Sequence, residues 1–443
     1  MRFDEAVSYL LSLGHETLAI KLGLRNTELL LNALDNPERA YPKVQIAGTN
    51  GKGSACVTLA SICRSAGIRT GLFTSPHLVS ITERINIDGH EITEADFARY
   101  ASEVRAAAER LVRDGILEAL PTFFEHVTAV SLLAFRAAGV ELAILETGLG
   151  GRLDSTTAAG AEIVGLTAVD LDHTELLGKT LGSIAMEKAA IIRPGVKAIV
   201  APQVPEVLNH IRQQCERSGV KPGIADWKAE ITGNSPTGRL IVTFETAEGR
   251  YQDVKLGLRG RHQVQTVGVA LRLAETLRAQ GFEIPSKAII EGISRARHPA
   301  RLELLPGKPA ILLDGAHNVS GARALRSYLD EFVRTTLTIV FGVMRDKEIE
   351  QMGRILFPAA DVLVLASPDN SRAAKLEVVE GLARQIVNST QIVAAQSATQ
   401  ALQRAVALTP PQGVICITGS LYFIGELRDK VANKPKRNNF NGR

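Results

Sequence analysis

QIAGTNGKGS, residues 45–54, sets three glycines, a lysine and a serine between an apolar run and an amphipathic one. It departs twice from the usual phosphate-loop pattern G-x-x-x-x-G-K-[ST]. Ile46 stands where that pattern wants its first glycine, and Gly53 separates Lys52 from Ser54. A strand ending at Ala47, a tight turn and then a helix still gather backbone N–H groups at the positive end of a helix dipole, an arrangement that binds anions. The glycines let the backbone approach phosphates, Lys52 can neutralise their charge, and the Ser54 hydroxyl can reach a magnesium ion. A glycine turn that only feeds a core helix is the competing reading. Lysine and serine at these offsets favour phosphate.

Around this loop, short apolar runs alternate with amphipathic stretches, the pattern of a mainly parallel α/β sheet. KVQIAG, RTGLFTS, ELAILETG, EIVGLTAVD and KAIVAP read as strands, with helices over 54–66, 94–113, 123–138 and 180–192. From 222 to 258 the pattern changes: DWKAEITGN, RLIVTFETAEG and YQDVKLGL read as strands joined by Gly, Asn and Pro turns, a small β-rich insertion. A helix over 262–280 follows. RARHPARLELLPGKP, 295–309, is basic and interrupted by proline, and reads as a linker. AILLDGAH, LTIVFGVM, DVLVLASP and GVICITGS then begin a second α/β series. The expectation is two α/β domains, 1–298 and 299–443. The first holds a P-loop-type, mainly parallel sheet with the 222–258 insertion, and the second is Rossmann-like. Residues 299–309 serve as linker and 433–443 as a flexible tail, with the ligand site in the cleft between the domains.

Composition narrows the function. A chain of 443 residues, 45% hydrophobic and 22% charged, is long enough for two cores. Its net charge of +4 is spread along the sequence, which argues against a nucleic-acid footprint. Cys56, Cys63, Cys215 and Cys416 form no C-x-x-C pair, so neither a disulfide framework nor a zinc site is expected. The N-terminal MRFDEAVSYLLSLG mixes acids with apolar residues, unlike a signal peptide, and no apolar run approaches the roughly 18 residues of a membrane span. A cytoplasmic protein is expected, with neither nucleic-acid nor membrane partner.

Metal ligands for a bound nucleotide belong at the C-terminal ends of neighbouring strands. Ser75 ends RTGLFTS, Glu146 ends ELAILE before the glycine turn TGLGGR, and His173 follows GLTAVDLD. A strand-end acid suits magnesium, which prefers oxygen. His173 alone reads as a polar loop residue, and Asp170 and Asp172 beside it as loop caps. Lys188, in the apolar helix of SIAMEKAAIIRPG, reads from composition as a snorkelling surface lysine unless it points into the site. Asp314 ends AILLD, ahead of His317 and Asn318, where a carboxylate can meet a ribose hydroxyl. Arg301 in the linker is either a phosphate-seeking cation or a surface residue.

Taken in order, AGTNGKGS, FTSPHLVSITERI, TFFE, ETGLGGRLDST, LDHTELLG, EKAAIIRPG, DGAHN and GSLYFIGE resemble the folylpolyglutamate synthases and dihydrofolate synthases of the Mur ligase superfamily. The resemblance runs from about residue 5 to 428, and the altered phosphate loop is that superfamily's own variant. It implies a Mur-ligase-type ATP-binding domain followed by a glutamate-ligase domain. By this resemblance Thr49, Asn50, Gly51, Lys52, Gly53 and Ser54 hold the ATP phosphates. Thr266, Arg301 and Asp314 are the further nucleotide contacts. Ser75, Glu146 and His173 match magnesium ligands, and Lys188 matches a lysine carbamylated in this family, which would serve a second magnesium ion. Lys52, Lys188 and His317 are the candidate catalytic residues. Ile20, Lys21, Leu22, Thr122, Phe124, Leu153, Asp154 and Ser155 match positions lining the pterin site.

Three positions depart from the family pattern. Thr157 and Thr266 each stand where asparagine is usual, and His298 replaces an apolar residue before Pro299. None removes a phosphate or metal ligand. The implied reaction is ATP-dependent activation of a pteroate or folate carboxylate as an acyl phosphate, then amide formation with L-glutamate by a monomer. SPHLVSITERINIDGH, 75–90, is a candidate mobile cover for the intermediate, and Phe124 either stacks on the pterin or belongs to the core. A sister ligase acting on a cell-wall precursor and a nucleotide-driven switch that makes no amide are the rival readings.

Overall fold

The computed structural model describes residues 1–14 and 23–432, and every count below is of these residues. They form two compact units. The first holds Met1–Asn234, Leu240–Leu258 and His262–Arg297; the second holds Ser235–Arg239, Arg259–Arg261 and the chain from His298 onward.

The first unit opens with α1 (Phe3–Ser12), α2 (Arg25–Ala33), β1 (Lys43–Ala47), α3 (Lys52–Ser65), β2 (Thr70–Phe73), β3 (Ile85–Ile87) and β4 (His90–Glu91). It continues through α4 (Glu94–Arg113), α5 (Phe123–Ala137), β5 (Leu142–Glu146), α6 (Ser155–Ala158) and β6 (Ile163–Leu166). α7 (Thr174–Leu177), α8 (Leu181–Ala189), β7 (Lys197–Val200), α9 (Pro205–Ser218) and β8 (Gly223–Ile224) complete one sheet of order β4-β3-β2-β5-β1-β6-β7-β8. Neighbours from β2 to β8 run parallel, while β3 and β4 are antiparallel at one edge. β1, β2, β5 and β6 are buried along their whole length, as parallel strands covered by helices on both faces must be.

Local chemistry sets several boundaries. α5 starts at a reciprocal cap: the Thr122 hydroxyl accepts from Glu125 N, and the Glu125 carboxylate accepts from Thr122 N. The Thr93 hydroxyl caps α4 by accepting from Asp96 N, without the reciprocal bond. The helix expected over 180–192 stops at Ala189. Arg193 is followed by Pro194, which disfavours helix in the residue before it, and by Gly195 at φ +86°. The expected cover 75–90 is structured in its second half: Ile81, Arg84 and Ile85 are buried, and 85–87 is strand β3.

The insertion is a sheet of order β11-β10-β9, made of β9 (Trp227–Asn234), β10 (Leu240–Thr246) and β11 (Gly249–Lys255), antiparallel throughout. Along β9, after buried Trp227, exposed and half-buried residues alternate, because only one face is covered. The expected start at 222 is early, since Gly223–Ile224 pair with β7 in the large sheet. α10 (Gln263–Ala279) and α11 (Ser286–Arg295) end the unit.

The second unit comprises β12 (Glu303–Leu305), β13 (Ala310–Asp314), α12 (Val319–Phe332), β14 (Leu337–Phe341), α13 (Ile349–Leu356) and β15 (Val362–Ala366). α14 (Leu376–Ile386), β16 (Gln391–Ala395), α15 (Ala398–Leu408), β17 (Val414–Thr418) and α16 (Leu421–Ala432) follow. Its sheet has the order β12-β13-β17-β14-β15-β16, with only β12 antiparallel, and is Rossmann-like. Two expectations need correcting here. The linker 299–309 contains edge strand β12, and β16 lies in a stretch that did not read as a strand. The tail 433–443 lies outside the described residues. No described helix is long and apolar enough to cross a membrane.

Candidate active site

Parallel pairing brings four strand ends together. Ile46 pairs with Glu146, Ala47 with Leu166, and Phe73 with Leu145. The loop after β1, the end of β5, Ser75 after β2 and the segment after β6 therefore share one edge of the sheet. That edge is where open α/β sheets bind ligands.

The loop after β1 can be made only with glycine at two points. Gly48 has φ +146°, and a Cβ there would lie 2.0 Å from Thr167 Oγ1. Gly51, at φ +89°, caps α3 in the left-handed region. Thr49 N donates to Ala168 O at 2.8 Å, and the Thr49 hydroxyl both donates to Asp170 O and accepts from Asp170 N. Lys52 Nζ lies 3.2 Å from Thr49 O, folded back over the turn. Ser54 is buried, and Gln263 Nε2 donates to its hydroxyl at 3.4 Å. Thr266 is buried beside Gly51, so the first turn of α10 packs directly on the loop.

Glu146 is buried at the end of β5, and its Oε2 accepts from Ser75 N at 3.1 Å, which joins two of the sequence-predicted metal ligands. His173 sits in the left-handed region at φ 49° as the residue preceding α7, with the Asp172 carboxylate 3.9 Å from Nε2. Asp170 and Asp172 cap the loop, accepting from Leu171 N and His173 N. Lys188 is not on the surface: it is 4% exposed and donates to Gly48 O at 2.9 Å. Burial, and after it the nearby Lys52 cation, pulls its pKa down to about 7. The carboxylate of Glu146 and the hydroxyls of Ser75 and Ser54 are hard oxygen donors, a set that fits a magnesium ion bound mostly through water and phosphate. An ammonium at Lys188 does not fit a cation; a carbamate there would.

The glycine turn after Glu146 carries the acceptor-side candidates. Of two adjacent phenylalanines, Phe123 is core and Phe124 half-buried, lying against Gly148 and 5.8 Å from the Phe73 ring. Thr122 caps α5, and the Ser155 hydroxyl bonds that of Thr128 at 2.6 Å. Asp154, buried, caps α6 and accepts from Leu149 N, Thr156 N and the Thr156 hydroxyl. Burial raises its pKa against those donors. Leu153 is half-buried in the same turn. Ile20, Lys21 and Leu22 lie outside the described residues.

In the second unit, Arg301 and His317 converge on one carbonyl. Arg301 donates to Gly315 O at 3.1 Å, and His317 Nδ1 lies 2.8 Å from the same oxygen. Only a protonated Nδ1 can face a carbonyl, so Nε2 of the neutral ring is the basic nitrogen. Asp314 is buried and accepts from Leu302 N and Ala316 N; burial raises its pKa to about 6 despite the Arg301 cation. Ala300 and Leu302, on either side of Arg301, both have positive φ, strain of the kind held at ligand sites.

Gln45 and Gln263 are site-adjacent residues that motif reading passed over. Gln45 carried a signal: it is a polar side chain between Val44 and Ile46 in the middle of a buried strand.

Two Mur ligase families match the chain: the middle domain over residues 46–274 and the glutamate ligase domain over 300–421. A probable bifunctional folylpolyglutamate synthase/dihydropteroate synthase of Haloferax volcanii is 34% identical over 97% of this chain, which spans only 50% of that protein. The dihydrofolate synthase/folylpolyglutamate synthase of Bacillus subtilis is 32% identical over 94% of this chain and 97% of its own. Among solved structures, Mycobacterium tuberculosis folylpolyglutamate synthase complexed with ADP has a TM-score of 0.89 at 28% identity, over 98% of this chain and 99% of that one. E. coli FolC in complex with DHPP and ADP has a TM-score of 0.86 at 29% identity, covering 98% of each chain. A bifunctional folylpolyglutamate synthase/dihydrofolate synthase with Mn, AMPPNP and L-glutamate bound has a TM-score of 0.83 at 27% identity, covering 98% of each chain.

Proposed function

The chain belongs to the Mur ligase family, in its folylpolyglutamate synthase and dihydrofolate synthase branch, and from that premise we propose how its residues act. It is an ATP-dependent ligase that joins L-glutamate to the carboxylate of a pteroate or folate. The observation that carries this reading is the shared sheet edge, where the Lys52 loop, Glu146 with Ser75, and buried Lys188 lie beside the acceptor-side turn 148–155.

A carboxylate is a poor electrophile. Its oxygen attacks the γ-phosphorus of ATP, the bridging bond to the β-phosphate breaks, and ADP leaves an acyl phosphate behind. Thr49 to Ser54 hold the phosphates, and Lys52 stabilises negative charge on the transferred group. Thr266, Arg301 and Asp314 are further nucleotide contacts. The glutamate amine then attacks the acyl carbon, phosphate departs with the bonding electrons, and the amine gives up a proton. His317, with a basic Nε2, is assigned to this second half.

Ser75, Glu146, His173 and a carbamylated Lys188 are the residues that would hold magnesium, which when bound supplies charge neutralisation for the phosphates. A carbamate forms on an unprotonated amine, and the burial of Lys188 favours that form. Thr122, Phe124, Leu153, Asp154 and Ser155 line the pterin site, with the half-buried face of Phe124 free to stack. The acceptor is dihydropteroate, a reduced folate, or both in turn. The ligands named for the related structures, ADP with DHPP and Mn with AMPPNP and L-glutamate, support this assignment. We place the enzyme in the cytoplasm as a monomer. Phosphate release from ATP that requires both glutamate and a pterin acceptor tests the reading; release indifferent to both would overturn it.

A further inference from the structure

Beneath the acceptor-side turn lies a buried polar cluster that the reaction as described does not use. Gln45 is wholly buried on β1, two residues before the strand ends, with neighbours in the sheet that are almost all apolar. Its Nε2 lies 3.0 Å from Thr156 Oγ1, 2.7 Å from Thr157 Oγ1 and 3.2 Å from Thr147 Oγ1. The hydroxyl protons of two of these are committed elsewhere. Thr156 donates to Asp154 Oδ1 at 2.5 Å, and Thr157 donates to Gly151 O at 2.7 Å. Both can therefore only accept from position 45, and the two hydrogens of the Gln45 amide match them. An oxygen in that place would face two lone pairs, so the orientation of the amide is fixed by chemistry.

The result is a forked, one-way chain of donors. One arm runs from Gln45 through Thr156 to the carboxylate of Asp154, and the other through Thr157 to the carbonyl of Gly151. Both arms end in the turn that carries the acceptor-side residues, although they start on the strand that leads into the phosphate loop. Threonine at 157, where the family usually has asparagine, is a working member of the second arm.

We propose that Gln45, acting through Thr156 and Thr157, is a positioning element that fixes Asp154 and so sets affinity for the pterin acceptor, while ATP binding is largely independent of it. This deepens the ligase reading and rests on it. Sequence proximity alone would assign Gln45 to the nucleotide; the hydrogen-bond chain assigns it to the acceptor.

The test uses Thr156→Val, which keeps the shape and removes the hydroxyl, Thr156→Ser, which keeps the hydroxyl, and Gln45→Met. Steady-state KM is measured separately for ATP, L-glutamate and dihydropteroate, alongside thermal unfolding. Thr156→Val is expected to raise the dihydropteroate KM by about tenfold, the effect of about one buried hydrogen bond to a charged group. Its ATP KM should stay within about twofold, Thr156→Ser should restore the acceptor KM, and Gln45→Met should follow Thr156→Val. An unchanged dihydropteroate KM in Thr156→Val, or ATP and acceptor KM values that rise together, overturns the proposal. Should Gln45→Met fail to fold, the Val and Ser pair decides alone. Where the wild type accepts only a reduced folate, that folate replaces dihydropteroate throughout; wild-type enzyme that makes no product from glutamate with either acceptor would instead count against the ligase reading itself.

Discussion

Lys188 Nζ donates to the carbonyl of Gly48 at 2.9 Å, joining a helix and the phosphate loop across 140 positions of sequence. A buried lysine held against the loop meant for phosphates is poorly explained as a stability device, because removing its charge from water costs more than one hydrogen bond returns. Replacing it should therefore cost activity more than stability. Lys188→Met is expected to fold and to lose at least about 100-fold in kcat, on the scale of a lost metal-site residue. With the wild type, 13C-bicarbonate should give a carbamate resonance that Lys188→Met lacks. A fully active Lys188→Met would remove the residue from the mechanism.

Glu146 is the carboxylate among the proposed magnesium ligands, and its Oε2 also orders the Ser75 backbone. Glu146→Gln keeps the acceptor oxygen and removes the charge. The concentration of magnesium giving half-maximal rate should rise about 10- to 100-fold. An unaltered magnesium titration would exclude Glu146 as a ligand.

Gly151 is packed against the helix that bears Lys188. A Cβ there would lie 2.9 Å from Glu187 O and 3.0 Å from Lys188 O, so the helix must move. Gly151→Ala is expected to lose about 1–3 kcal/mol in a urea melt, typical of overpacking, with a fall in kcat. A variant of wild-type stability would mean that this contact yields easily.

His126 ties α1 to α5: its Nδ1 donates to Thr122 O and its Nε2 accepts from the Tyr9 hydroxyl, each at 3.1 Å. Burial lowers its pKa from 6.5 to about 4. Between those values the unfolded chain binds the proton that the folded one refuses, so stability falls as pH drops from about 6.5 to about 4 and rises in the other direction. The share due to His126 is about 3 kcal/mol. Denaturant melts of wild type and His126→Gln should diverge by that order across the window and run parallel above pH 7. Curves that stay parallel throughout would show that His126 titrates normally.

Much of this architecture was legible because its strands are short apolar runs bounded by turns, and the helix expected over 94–113 is α4. β16 was not read as a strand: its apolar run in Gln391–Ala395, QIVAA, is short and ends in two alanines, smaller than the runs of β14 and β15, and at the sheet edge it is only partly buried. Edge strand β12 was hidden among the prolines and charges of the linker. At the site, the glycines, Glu146 and Ser75 could be read from position at strand ends. Lys188 could not, since a lysine in an apolar helix has the same letters whether it snorkels outward or turns in to Gly48. The role of Gln45 depends on which hydroxyls face it, and tertiary packing alone decides that.

The most direct measurement is incorporation of labelled L-glutamate into dihydropteroate or tetrahydrofolate, followed by mass spectrometry, with ATP and magnesium present. The expected result is a product heavier by one glutamyl residue, with one ADP and one phosphate released for each amide formed. ATP turnover at the same rate with no glutamate in any pterin would contradict it, and would leave a nucleotide-driven switch.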